Sequence, residues 1–266
     1  MSVAGGLNGI LHVLLATVEP GQEVVIGDPI YAGLVNRIHL VGGIPKFVTS
    51  RPTATGWETD PADLADAIGP NTAAVLTMSP AMPGGAVLGP PHWDAIARPV
   101  QEHGCLVIHD AAMERLRFDG SAPASPAGHP LLADRTITVG SASKELRMIG
   151  WRVGWVVGPA PIMTDITLVG MANVVCQVGI AQHAVATALA SPDIETDIAA
   201  AADTWRQRCV VILDELSDYA WVRPDGGWSL LIDTRPPWCQ PRRGVKAPLR
   251  ARAGRSDADE RMGTVG

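Results

Sequence analysis

Short runs of aliphatic and β-branched residues alternate with longer stretches of helical period along most of this chain, and that alternation limits the folds open to it. LNGILHVLLAT (7–17) carries apolar residues at helical spacing, and VEPGQEVVIGDP reads as turn, strand, turn. Pro29 to His39 predicts a second helix, stopped at Gly42–Gly43, and PKFVTS a second strand. DPADLADAIG predicts a short helix with Asp60 as N-cap and Gly69 as stop. AAVLTM is a strand, HWDAIARPVQEHG a helix that Pro99 is expected to kink or end early, and CLVIHD the next strand. TITVGS and GWVVG are further strands, 160–190 reads as Ala-, Val- and Met-rich helices, and 191–217 as one long, more polar helix. WVRPDGGWSLLID predicts strand, turn and strand. The strands are apolar throughout rather than alternating, as in a sheet covered on both faces. The expectation is therefore an α/β domain with a mostly parallel sheet.

Composition removes several functions. Of 266 residues, 47% are hydrophobic and 18% charged, too apolar a balance for a disordered chain. A net charge of −6 argues against a broad nucleic-acid-binding surface, though not against a small anion pocket. The four cysteines (Cys105, Cys176, Cys209, Cys239) lie far apart without a CxxC, so neither a metal site nor a disulfide framework is expected. No apolar run reaches the roughly 18 residues of a membrane span, and no basic leader is evident, so the expected setting is the cytoplasm, away from membranes.

The most informative stretch is TITVGSASKELRMIGWRVGWVVG (136–158). Lysine is rare here, with only Lys46, Lys144 and Lys246, and Lys144 falls just past a strand end between Ser141-Ala142-Ser143 and Gly150-Trp151-Arg152. Ligands of α/β sheets sit at such carboxyl ends. Two hydroxyls and a forked guanidinium suit a phosphate, and a neighbouring amine suits a Schiff base with an aldehyde. An aldehyde with a phosphate describes pyridoxal 5′-phosphate.

SASKELRMIGWRVGW resembles the lysine signature of the class I/II aminotransferases, the fold-type I enzymes: Ser-x-Ser-Lys, a short spacer, then Gly-x-Arg. The resemblance runs from about Ser2 to about Asp233. It implies a three-layer α/β/α large domain, and Lys144 as the Schiff-base lysine that also shuttles a proton. It implies Ser141 and Arg152 on the cofactor phosphate, with Ser143 a weaker candidate. Asp110 closes CLVIHD. Alone it reads equally as a cap, a turn residue or a salt-bridge partner; the family places there the carboxylate that keeps the pyridine nitrogen protonated. Gly5-Gly6-Leu7 matches the backbone cradle before the first helix, giving Gly6 and Leu7 as phosphate contacts. Tyr31, in Asp28-Pro29-Ile30-Tyr31, matches an aromatic that stacks on the pyridine, although it also reads as a half-core tyrosine.

Two positions depart from the family pattern. Met113 stands where a tyrosine usually hydrogen-bonds the cofactor's phenolic oxygen, and Met82, in SPAMPGG, where an asparagine does so. Met82 is retained as a contact by position only. By the resemblance, 1–190 form the cofactor-binding large domain, and 191–233 the linking helix and the start of an incomplete α+β small domain. Residues 234–266 are rich in Arg, Pro and Gly with little periodicity, and the expectation is a disordered or frame-shifted tail. Read from the second base of each codon, Arg250 to Val265 can encode a segment like the Val-Ala-x-x-Pro of aminotransferase small domains. Family members carry a long stretch before the Gly-Gly segment and an arginine for the substrate carboxylate; neither is matched here.

The function implied is transfer of an amino group from an amino acid to a 2-oxo acid, in a homodimer. A lyase or decarboxylase on the same scaffold, an inactive remnant and a non-catalytic ligand-binding domain are the alternatives.

Overall fold

The computed structural model describes residues 1–217 and 219–233. Eleven strands and seven α-helices follow in the order β1 (Ser2–Val3), α1 (Gly6–Thr17), β2 (Glu23–Asp28), α2 (Ala32–Leu40), β3 (Ile44–Thr49), β4 (Arg51–Pro52), β5 (Trp57–Glu58), α3 (Pro61–Asp66), β6 (Thr72–Met78), α4 (Pro90–His103), β7 (Leu106–Asp110), β8 (Thr136–Ser141), β9 (Gly154–Val157), α5 (Ala160–Asn173), α6 (Gly179–Leu189), α7 (Ile194–Glu215), β10 (Ala220–Trp221) and β11 (Ile232–Asp233). Seven strands form one sheet in the order β1-β9-β8-β7-β6-β2-β3. The pairs β2–β3, β2–β6, β6–β7 and β7–β8 are parallel, while β9 runs antiparallel to both β8 and β1.

Alternate residues of β2, β6 and β7 feed two cores, which is the physical meaning of their unbroken apolar runs. Val24, Ile26, Leu76, Ile108 and Val139 pack with Ile10 and Leu14 of α1, Ile38 of α2, Ile166 of α5 and Ile198 of α7. Val25, Val75 and Val107 face the other way, onto Leu64 of α3 and Trp93, Ile96 and Val100 of α4. Helices thus cover both faces, giving the three-layer α/β/α arrangement with a mostly parallel sheet.

Three expectations need correction. Pro99 does not end α4 early: the helix spans 14 residues, runs past Pro99 to His103 and closes on Gly104 at φ 68°. Burial of Trp93, Ile96, Ala97 and Val100 along one stripe outweighs the roughly 3 kcal/mol that an interior proline costs. The second helix starts at Ala32 rather than Pro29, because Tyr31 stays extended as its N-cap, at ψ 118°. WVRPDGGWSLLID forms strands of only two residues at its ends, β10 and β11, joined antiparallel. Its middle is tied elsewhere: Phe118 N donates to Asp225 O (2.9 Å), Asp225 N to Gly85 O (3.1 Å) and Gly227 N to Leu116 O (2.8 Å). The expected tail at 234–266, with Cys239 and Lys246, lies outside the described residues.

Candidate active site

The carboxyl ends of three adjacent parallel strands meet at one place. Met78 ends β6 and pairs in register with Asp110 at the end of β7, and β8 ends at Ser141. The chain leaving each strand turns over the same spot, as do the first residues of α1 and the N-cap of α2. Between them lies a cavity of about 220 Å³, lined by Gly6, Leu7, Tyr31, Met78, Met82, Asp110, Ala112, Met113, Ser141, Ser143, Lys144, Ile149 and Arg152. Every site residue expected from the sequence lines it. This is the position at which open α/β sheets bind ligands.

One wall is an anion cradle. Ser141 Oγ donates to Ser143 Oγ (3.0 Å), Ser143 N donates to Ser141 Oγ (3.2 Å), and Arg152 Nη1 donates to Ser143 Oγ (3.2 Å). Arg152 is propped by Ile149 O (2.9 Å) and Ala4 O (3.1 Å), and its own backbone is left-handed at φ 54°. Gly5, at φ 85°, lies against the guanidinium so closely that a Cβ would overlap it. Its backbone lies in a region that essentially only glycine occupies. The first N–H groups of α1, at Gly6 and Leu7, have no partner within the helix and add its positive end.

The rest of the lining is largely apolar around one carboxylate. Asp110 is buried, and its Oδ1 accepts from Ala112 N at 3.0 Å. Burial pushes its carboxyl up to about 6, against the backbone hydrogen bond and the nearby Lys144, which both favour the ionised form. Met78 and Met113 are buried beside it, and Met82 is half-buried. Neither Met82 nor Met113 offers a polar hydrogen. Next in β7 comes His109, whose Nδ1 pairs with Thr77 Oγ1 at 3.0 Å and whose burial drives it down to about 4, so it is neutral.

Lys144 is half-buried, and its ammonium is pushed below the usual lysine range by burial, then raised by Asp110 and lowered by Arg152. The loop carrying it is locked by its neighbour. Glu145 is buried and accepts from Arg115 N (2.8 Å) and Arg115 Nε (2.7 Å), while Arg115 Nη1 donates to Glu195 of α7 (2.7 Å). Lys46 is paired with Glu23 at 3.1 Å, away from the cavity.

Met78, Ala112 and Ile149 as lining residues were not legible in the sequence, nor was Trp228, whose ring lies under Lys144 Nζ at 3.4 Å from its centroid. The signal available for Trp228 was the Gly226-Gly227 pair before it. A larger cavity, of about 490 Å³, opens between 115–123 and α7. Its arginines, Arg115, Arg117 and Arg206, are already paired with Glu145 and Glu195, Asp119, and Asp203. None of the described residues lining it carries an amine.

Residues 2–251 match the family described as aminotransferase class I and II. The arginine–pyruvate transaminase AruH of Pseudomonas aeruginosa is 33% identical over 239 residues, covering 88% of this chain and 59% of the relative. A probable aspartate/prephenate aminotransferase of Thermus aquaticus is 31% identical over 235 residues, 87% of this chain and 60% of its own length. Among solved structures, a mutant of Thermus thermophilus aspartate aminotransferase superposes with a TM-score of 0.82 at 28% identity, over 89% of this chain and 65% of that one. The N-succinyldiaminopimelate aminotransferase of Mycobacterium tuberculosis gives 0.82 at 31% identity, over 89% and 62%. The chain spans about 60% of the length of the curated relatives it matches.

Proposed function

Because the chain belongs to the class I and II aminotransferases, we propose that the cavity binds pyridoxal 5′-phosphate and that the protein moves an amino group from an amino acid to a 2-oxo acid. The observation that carries this reading is the convergence of Lys144, Asp110 and Arg152, with Ser141, Ser143 and the start of α1, on one cavity. The residues fit the group. An anion matches the cradle of Gly6, Leu7, Ser141, Ser143 and Arg152, where Gly5 leaves room for the guanidinium. A protonated ring nitrogen matches Asp110, whose buried carboxylate gains a counter-charge. Met82 and Met113 are where the fit is apolar.

The cofactor supplies, when bound, an aldehyde that takes up amino groups and a ring that draws electrons from the bonds at Cα. The rest is done by this chain's own groups. Lys144 Nζ would offer the amine for the aldehyde and would move the proton at the substrate Cα. Asp110 holds the proton at the ring nitrogen. Ser141, Ser143 and Arg152 fix the phosphate and so the position of the reacting carbon, with Gly6 and Leu7 donating from the backbone. Tyr31 supplies a ring face on the cavity wall.

Residues 1–190 are proposed as the cofactor-binding domain, with α7 and the strands beyond it beginning the next. A second copy of the chain is the proposed partner. Leu168, Met171, Val175, Val178 and Ile180 leave an apolar surface on α5, α6 and their link, with Ile180 78% exposed. No described helix is long and apolar enough to cross a membrane, and among the described residues Cys105, Cys176 and Cys209 are unpaired; the cytoplasm is the setting proposed.

The test is reduction of the pyridoxal-phosphate-treated protein with borohydride, followed by peptide mapping. The pyridoxyl group is expected on Lys144, together with amino transfer to a 2-oxo acid. A label on Lys46 or Lys246 overturns the assignment.

A further inference from the structure

The Lys144 ammonium rests on a ring from the far end of the described chain. Trp228 follows β10, and its backbone is pinned against the loops of the large sheet. A Cβ at Gly226 would press on Leu116 O and the ring of Pro80, so only glycine lets the chain run this close. Gly227 N donates to Leu116 O at 2.8 Å, and Ser229 Oγ donates to Pro83 O at 3.1 Å. Behind the indole, Trp205 of α7 meets it edge-on, at 6.0 Å and 83°, and Arg208 stacks on Trp205 at 5.0 Å. Backbone and packing place Trp228 without any help from Lys144.

An ammonium is attracted to an indole face, whereas a neutral amine is not. Among the described residues, three other charged or titratable groups line the cavity with Lys144: Asp110 from the end of β7, which favours the ammonium, Arg152 from the turn after β8, which opposes it, and Tyr31, the N-cap of α2. Burial opposes the ammonium as well. Trp228 therefore acts with Asp110 and against the two influences that would strip the proton.

We propose that Trp228 is the positioning residue for the lysine: its indole face parks the Lys144 ammonium beside the cavity and releases the amine only when it loses its proton. The inference rests on the reading of Lys144 as the amine that meets the cofactor's aldehyde. In that step the ammonium proton passes to solvent, the nitrogen lone pair bonds the aldehyde carbon, and the aldehyde oxygen leaves as water. Trp228 sets how much free amine is available and where it starts from.

The test needs no cofactor. Trace acetylation of the full chain with acetic anhydride across a pH series, with the Lys144 and Lys46 peptides quantified in one digest, gives the titration midpoint of each amine. Trp228→Leu is expected to lower the Lys144 midpoint by about half to one pH unit, making it roughly three- to tenfold more reactive near neutral pH. Lys46 stays unchanged. Trp228→Phe keeps a weaker ring face and is expected to lower the midpoint by less. Should the leucine variant not fold, the phenylalanine variant decides: a fall supports the proposal, and an unchanged or raised midpoint overturns it, as it does in the leucine variant. The reading of Lys144 as the cofactor's amine fails separately, if the borohydride label lands on another lysine.

Discussion

On one wall of the cavity, Ser143 links Ser141 and Arg152, and Arg152 is tied to backbone carbonyls around a glycine that only just clears its guanidinium; on the other, Met78, Met82 and Met113 line the cavity with a lone buried carboxylate. The first wall is directional. Each donor is fixed by a second bond, so a shift of one group disturbs the rest. The second is soft, because methionine adapts its shape and asks for no partner. A ligand that is anionic at one end would be held in register by the polar wall, while the methionine wall fills space around whatever the carboxylate holds. The two walls therefore predict different sensitivities to substitution.

The largest effect on cofactor binding is expected at Arg152. Arg152→Ala should weaken pyridoxal phosphate binding by about 1.5–3 kcal/mol, the scale of charge-assisted hydrogen bonds, or roughly ten- to 150-fold in the dissociation constant. A spectrophotometric titration with an unchanged constant would break the comparison at its stronger side.

Asp110 carries the next effect, and its sign is opposite for stability. Its carboxyl titrates near 6 in the fold against 3.8 in an unfolded chain, so the folded state holds the extra proton between those values. Stability from this group is present below 3.8 and is lost as pH rises through about 6. Asp110→Asn should therefore stabilise the cofactor-free protein at pH 7 by about 2–3 kcal/mol, while removing most turnover. His109 works the other way: held at about 4 against 6.5, it contributes stability above 6.5 that is lost as pH falls through 4. In the Asp110→Asn protein, melting temperature should thus fall steadily on acidification from 6.5 to 4. A variant less stable than the wild type at pH 7 would show that the carboxylate is not strained there.

Gly5→Ala should destabilise the protein by about 1–2 kcal/mol, from the forbidden backbone region and the displaced guanidinium, and weaken the phosphate end as well. Thermal melts and the same titration read both; an alanine that left both intact would mean the polar wall is looser than its bonds imply. The smallest effect is expected from Met113→Leu, nearly the same volume, at less than about 1.5 kcal/mol in stability and under tenfold in cofactor affinity. A loss as large as that of Arg152→Ala would give the methionine wall a specific role and erase the contrast.

The parts legible in the sequence were those encoded by local pattern. Apolar runs marked the strands, since burial on both faces leaves little else for a parallel strand to be made of. Asp60 marked α3, and its Oδ1 does accept from Ala62 N at 2.9 Å. Lys144, Asp110 and Arg152 were readable because they belong to short local patterns: Asp110 ends β7, Lys144 comes three residues after β8, and Arg152 follows in the same segment, two residues before β9. What was hidden depends on distant partners. The direction of β9 leaves no trace in GWVVG, whose residues suit either orientation. The continuity of α4 through Pro99 is settled by the stripe it buries, not by the proline. Trp228 meets Lys144 across a gap in sequence that no periodicity spans, brought there by the close fit of Gly226 against Pro80 and Leu116 together with the bonds of Gly227 and Ser229 and the packing on Trp205.

The first strand has a consequence for how such a chain is made. Ser2 pairs with Trp155, Val3 with Gly154, and the Met1 nitrogen donates to Val156 O at 3.0 Å across 155 positions. During synthesis, β1 and the start of α1 leave the ribosome long before β9 exists. At about 5–20 residues per second, the interval is on the order of ten to thirty seconds. Gly5 also waits for Arg152, which lies in the same late segment. Two stretches that emerge at opposite ends of that interval must find each other before either can hold an anion. The ligand-holding wall is thus a late product of translation, and a free ligand present at that moment would stabilise the pairing by mass action.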